Sequence, residues 1–245
     1  MKTSTKIFIA TLLFLVLSML GYDHLLKKEF LSGRYKNSYA YYTELKLENF
    51  DTFDINAAHI ANVKFIQGPY RVLIEPNALD YVKVQQKGSH LQIDVNLSEA
   101  RYNNRNPYLL LISCPHIKEV IANAFIINKN LKVIDTVVNE GWNGRQVLIS
   151  GFKQDSLTIR QDYGSNVVLA NNHIRSLNAI VGQSPLSVSR IGILKSNRFE
   201  NVNLQVMNKS KLILKDALIT HLKYQLSDSA ELIMNGAAKH AFIKQ

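Results

Sequence analysis

From Phe53 onward almost every segment alternates apolar with polar residues, in short runs rich in Val, Ile, Leu and Tyr that stop at Asn, Gly, Asp, Ser or Pro. In "NVKFIQGPYRVLIEPNALDYVKVQQKGSHLQIDVN", Val72 and Ile74, Val82 and Val84, then Leu91, Ile93 and Val95 alternate with polar neighbours. Turns are expected at Gly68-Pro69, Pro76-Asn77 and Lys87-Gly88. A period of two sends successive side chains to opposite faces of an extended chain, so each run reads as a strand with one buried and one wet face. Helical spacing is sustained nowhere in this region.

The pattern then repeats. Segments starting at Leu157, Leu177, Val202 and Leu222 read "LTIRQDYGSNVVLA", "LNAIVGQSPLSVSR", "VNLQVMNKSKLILK" and "LKYQLSDSAELIMN", and their starts lie 20, 25 and 20 residues apart. In the last two copies Val202, Leu204, Val206, Leu212 and Leu214 match Leu222, Tyr224, Leu226, Leu232 and Met234. The first copy keeps this frame with Leu157, Ile159, Val167 and Leu169, and the second is expected to run one residue short at Leu186 and Val188. A polar corner separates the two strands of each copy, with serine or glycine where the backbone bends. A repeat near twenty residues is too short for a propeller blade and lacks the helix of a leucine-rich repeat. It predicts an all-β domain, a right-handed parallel β-helix in which one copy cannot bury its apolar face until the next stacks on it. An antiparallel β-sandwich is the alternative, because its strands recur at a similar spacing.

A different pattern precedes the strands. Lys2 and Lys6 stand before an unbroken apolar run from Ile7 to Gly21, the layout of a secretory targeting segment. No A-x-A-like pair follows the run, which favours an uncleaved signal-anchor over residues 1–26, with secretion after cleavage as the alternative. Basic residues before the run predict a cytoplasmic N-terminus and an extracytoplasmic, periplasmic main domain held at the inner membrane. Residues 27–50, rich in tyrosine and charge, read as a juxtamembrane spacer, and residues 51–245 as the β-domain.

Charge and chemistry add little to this outline. The chain has 29 Lys plus Arg against 19 Asp plus Glu, a net +10, and the excess is scattered without basic runs or interleaved aromatics, which argues against nucleic-acid binding. Cys114 is the single cysteine, so no internal disulfide forms, and in "LLLISCPHI" it reads as a small buried hydrophobe. The seven histidines show no metal-ligand spacing, and no nucleophile elbow, P-loop or dinucleotide motif occurs.

The entry segment "FDINAAHIANVKFIQGPYRVLIEPNALDYVKVQQKGSHLQIDV" and the serine-centred corners before short strands, "GSNVVL" and "DSAELIM", resemble the GIN domain family of exported proteins from Bacteroidetes-type bacteria. Its other name, auto-transporter adhesin head domain, is itself a conjecture about role. The resemblance covers residues 51–245 and implies a β-helical extracytoplasmic domain with no known reaction.

A polysaccharide-cleaving enzyme is the competing class, and it needs two carboxylates about 5 to 9.5 Å apart. Asp162 and Asp228 hold comparable corner positions, but three copies apart, or about 14 Å at the strand spacing. The expectation is therefore a non-enzymatic binding or structural module of the cell envelope, without cofactor or metal. Its partners would be the membrane and a glycan or envelope protein. The candidate binding surface is the polar ladder of Asn208 and Asp228 with Lys211, Lys215 and Lys223 nearby.

Overall fold

The computed structural model describes residues 2–96, 108–128, 131–136 and 146–240. It divides into two compact units, Met1–Tyr42 and Thr43–Gln245. The first unit is built on α1 (Thr3–Ser32), which buries none of its residues and is long and apolar enough to cross a membrane. At 1.5 Å per residue it extends about 45 Å, more than a hydrocarbon core of about 30 Å. The helix runs past the limit expected at residue 26 and stops where Gly33 takes a left-handed φ of 68°. Beyond that limit, Glu29 accepts hydrogen bonds from Arg34 and from the Tyr41 hydroxyl at 2.8 Å.

The span expected as a spacer is thus shared between elements. Its first residues are helical, and Thr43–Leu45 is already a strand of the second unit. The strands of that unit are β1 (Thr43–Leu45), β2 (Thr52–Ile55), β3 (Val63–Gln67), β4 (Arg71–Ile74), β5 (Val82–Lys87), β6 (His90–Val95), β7 (Leu110–Cys114), β8 (Glu119–Asn123), β9 (Phe125–Asn128) and β10 (Leu131–Ile134). They continue with β11 (Val147–Ser150), β12 (Lys153–Asp162), β13 (Asn166–Ala170), β14 (His173–Val181), β15 (Arg190–Ile193), β16 (Arg198–Val206), β17 (Lys211–Lys215), β18 (Leu218–Leu226) and β19 (Glu231–Asn235).

Two mixed sheets face a common core, and neither closes on itself. One has the order β1-β4-β7-β3-β11-β13-β15-β17-β19, the other β18-β16-β14-β12-β8-β2-β6-β5. A separate hairpin pairs β9 with β10. From β11 to β19 successive strands alternate between the two sheets, and every strand pairs in parallel with its counterpart one copy away. The N-terminal half mixes antiparallel pairs, β1 with β4, β4 with β7 and β5 with β6, with parallel ones, β2 with β6, β2 with β8 and β3 with β7. Strands β2 and β3 come early in the chain yet sit inside the sheets, between β6 and β8 and between β7 and β11.

The register follows the repeat. Leu157 pairs with Leu177, Leu177 with Val202 and Val202 with Leu222. In the other sheet Val167 pairs with Ile191, Ile191 with Leu212 and Leu212 with Leu232. The second copy corrects the expectation. Its inward residues are Ile191 and Ile193, whereas Leu186 is 77% exposed in a left-handed turn and Val188 precedes the strand. The extra length of that copy lies mainly in the corner between Val181 and Arg190, so the strand resumes later than the sequence frame suggests. At the last copy the register holds but burial does not: Leu204 is fully buried, while its partner Tyr224 is 37% exposed on an edge strand.

The corners that lead from one copy to the next share a backbone device. Gly151, Asn171, Ser196, Asp216 and Gly236 all have positive φ, between 51° and 82°, and recur with the period of the repeat. Small or Asx-type residues tolerate this region best. The following positions face inward, where Asn172 and Asn197 form a buried ladder. The Asn172 amide nitrogen donates to Ile149 O at 2.9 Å and to Asn197 Oδ1 at 3.0 Å, and its oxygen accepts from Phe152 N at 3.0 Å. Asn197 Nδ2 donates to Leu169 O and Leu194 O, both at 2.7 Å. Backbone groups that turn out of the sheets are thereby satisfied away from water.

Candidate functional site

The five residues singled out in the sequence occupy three places rather than one. Asn208 lies in the corner after β16 with a left-handed φ of 56°, and its amide nitrogen donates to Gly182 O at 2.7 Å and Ser184 O at 3.0 Å. Asp228 is exposed in the same corner one copy later, where Ser227 donates to Asn208 O at 3.2 Å. Lys211 and Lys215 bound β17 in the nine-stranded sheet, and Lys211 pairs with Glu231 at 2.9 Å. Lys223 is exposed on β18 in the other sheet. Asn208 thus ties one copy to the previous one.

Asp162 belongs to the same kind of ladder. Its carboxylate accepts from Tyr163 N at 3.0 Å, from Ser184 N at 3.1 Å and from the Ser184 hydroxyl at 2.5 Å. These bonds tie the wide corner of the second copy to the first.

A broad polar surface is formed by the outer face of the eight-stranded sheet. Alternation sends Leu157, Leu177, Val202 and Leu222 inward, so the residues beside them line up outward in columns: Thr158, Asn178, Asn203, Lys223 and, two residues on, Arg160, Ile180, Gln205, Gln225. A third column runs Ser156, Ser176, Asn201, His221. Ion pairs lace its borders. Arg160 Nε meets Glu119 at 2.9 Å, and Arg175 bridges Asp155 at 3.1 Å and Glu200 at 3.8 Å, beside a shallow depression of about 350 Å³. Between these borders Asn178, Asn201, Asn203 and Gln205 are exposed, and among the described residues their side chains join no hydrogen bond. Sequence reasoning passed over them, although Asn recurs one position after the apolar residue that opens the copy in "LNAIV" and "VNLQV".

Toward the other end of that sheet a depression of about 580 Å³ is lined by Asn56, Gln85, Gln92, Asp94 and Phe125. Asn56 and Gln92 donate to the two oxygens of Asp94 at 2.7 and 2.8 Å. Neighbouring Asp54 has one buried carboxyl oxygen without a partner among the described residues, and burial pushes its carboxyl above the usual range, with His90 opposing the effect and the Asp94 charge adding to it. Phe125 already carries Lys132 Nζ at 4.0 Å from its ring centre. Cys114 is fully buried, and desolvation pushes its thiol up to about 12, so little thiolate forms near neutrality. Among the described residues no group of three His, Cys, Asp or Glu side chains is placed to hold a metal ion.

No protein-family model matches the sequence, and no curated protein matches it. Solved structures do match. A provisionally named adhesin from Parabacteroides distasonis is 12% identical, covers 80% of this chain and 73% of its own, and superposes with a TM-score of 0.54. The two chains share a fold. Weaker matches are a provisionally named adhesin from Parabacteroides merdae, 11% identical over 78% of this chain and 92% of its own with a TM-score of 0.39, and a provisionally named lipid binding protein from Parabacteroides distasonis, 12% identical over 78% and 92% with a TM-score of 0.31.

Proposed function

We propose that the chain is a non-enzymatic binding or structural module of the bacterial cell envelope, kept at the inner membrane by α1 with its β-unit on the extracytoplasmic side. In this reading the alternation of β11 to β19 between two parallel-paired arrays is a right-handed parallel β-helix of the GIN type. The fold shared with a provisionally named adhesin supports that assignment. The basic residues before the apolar helix support export, and the absence of an A-x-A-like site supports retention.

One observation carries the functional part. The repeat exposes a broad polar face with unengaged amides, while Asp162, one of the two corner carboxylates weighed for catalysis, is held by corner hydrogen bonds from Tyr163 and Ser184. A surface with this character binds rather than reacts. Protease accessibility in spheroplasts and the mass of the native N-terminus test the placement: a mature terminus between residues 18 and 30 would replace retention with secretion. Incubation with envelope polysaccharides tests the chemistry. No new reducing ends or unsaturated products are expected, and turnover abolished by Asp162→Asn would overturn the non-enzymatic reading.

A further inference from the structure

The outer face of β14 and β16 differs from its surroundings in charge and in hydrogen-bond state. From Ser176 to Ile180 and from Asn201 to Gln205 every outward position is uncharged, while the flanking positions carry the Arg160–Glu119 pair and the Asp155–Arg175–Glu200 ladder. Opposite charges or hydrogen bonds between neighbours usually stabilise exposed cross-strand columns. Here Asn178 sits opposite Asn203, and Ser176 opposite Asn201, yet the amides engage neither one another nor the backbone. Each amide keeps two donors and one acceptor oxygen available.

We propose that this amide grid is a binding site for a neutral, extended polysaccharide lying along the stacking direction, across the strands. The grid repeats at about 4.8 Å from strand to strand and about 6.6 Å along a strand between outward residues. A sugar hydroxyl both donates and accepts, so amides match it without counter-charge, and half-buried Ile180 offers an apolar spot for the C–H face of a pyranose ring. An extended pyranose polymer laid along the Asn178–Asn203 column meets an amide on both β14 and β16. An acidic glycan would find cations around the grid and not in it, at Lys153, Arg198 and Lys223, or already paired, at Arg160 and Arg175. A flat uncharged grid favours the neutral polymer.

The proposal rests on the binding-module reading and has a separate point of failure. Full-length protein in detergent is run by affinity electrophoresis through gels containing xylan, mixed-linkage β-glucan, glucomannan or, as the anionic comparison, polygalacturonate. Retardation by at least one neutral polymer, unchanged as salt rises, is expected. The double substitution Asn178→Ala with Asn203→Ala should weaken it about tenfold, as the loss of two modest hydrogen-bonding groups implies. Lys87→Ala, at the exposed turn between β5 and β6, should leave it unaltered, and both variants should keep the parent melting temperature. Three results overturn the grid: no retardation by any neutral polymer, retardation that the double variant retains, or retardation by polygalacturonate alone that salt abolishes. The last two leave a binding module that works through another surface. Shortened polymer recovered from the gel would instead defeat the module reading itself.

Discussion

Asp54 shows what a single outward residue can cost. One of its carboxyl oxygens is buried without a partner among the described residues, and desolvation raises its pKa in the folded chain. A carboxyl whose folded pKa lies above the unfolded value binds protons more readily when folded. Its ionisation therefore opposes folding at neutral pH, and the penalty fades as pH falls through the raised pKa. Asp54→Asn should melt above the parent at neutral pH, with the gap closing in acid; a gap independent of pH would assign the effect to packing. Asn171 isolates a different term. It is exposed, has φ of 58°, and its side chain joins no hydrogen bond among the described residues. Asn171→Ala should cost about 1–2 kcal/mol relative to Asn171→Gly, the penalty of a Cβ in the left-handed region, read from denaturant midpoints.

At the level of elements, each strand of the repeat is stable because its neighbour covers it. Leu212 is fully buried between Ile191 and Leu232, while Lys211 beside it makes only a partly exposed ion pair with Glu231. Leu212→Ala should cost about 2–5 kcal/mol and Lys211→Ala at most about 1. Equal losses would mean that the register is wrong. The buried Asn172–Asn197 ladder acts in the same direction, because truncating one amide strips partners from backbone groups on both adjoining copies. Asn197→Ala should therefore lower stability by about 1–3 kcal/mol, and hydrogen exchange should quicken first at Asn172 N, which donates to the lost oxygen.

For the whole molecule, the division at Tyr42 and Thr43 makes the β-unit a candidate for independent folding. Its core draws on both sheets, with Phe53, Leu157 and Leu204 from one and Phe65, Ile149 and Leu214 from the other, all fully buried. A chain beginning at Thr43 should be soluble without detergent and show the same thermal transition as the β-unit of the full chain. One beginning at residue 51, the boundary suggested by sequence, lacks β1 and should melt lower because β4 then becomes an edge strand. A requirement for α1 in either transition would show that the two units do not fold separately.

The sequence by itself determined the elements whose signal is local. Alternation marked the strands, charge before an apolar run marked the helix, and the repeat of Leu157, Leu177, Val202 and Leu222 determined the register of β12, β14, β16 and β18. Tertiary structure decided what depends on contacts between distant residues. The second copy shows the limit: Leu186 and Val188 have the right composition for a strand, but pairing with Val167 and Leu169 selects Ile191 and Ile193. The insertion of β2 and β3 into the middle of the sheets left no local trace either, since any strand of suitable alternation satisfies the same neighbours. Nor did alternation tell which outward amides would find partners. Asn208 and Asn172 are held by backbone carbonyls from other copies, and Asn178 and Asn203 are not, because the first two sit where the chain turns and the last two lie on a flat sheet whose own backbone groups are already paired.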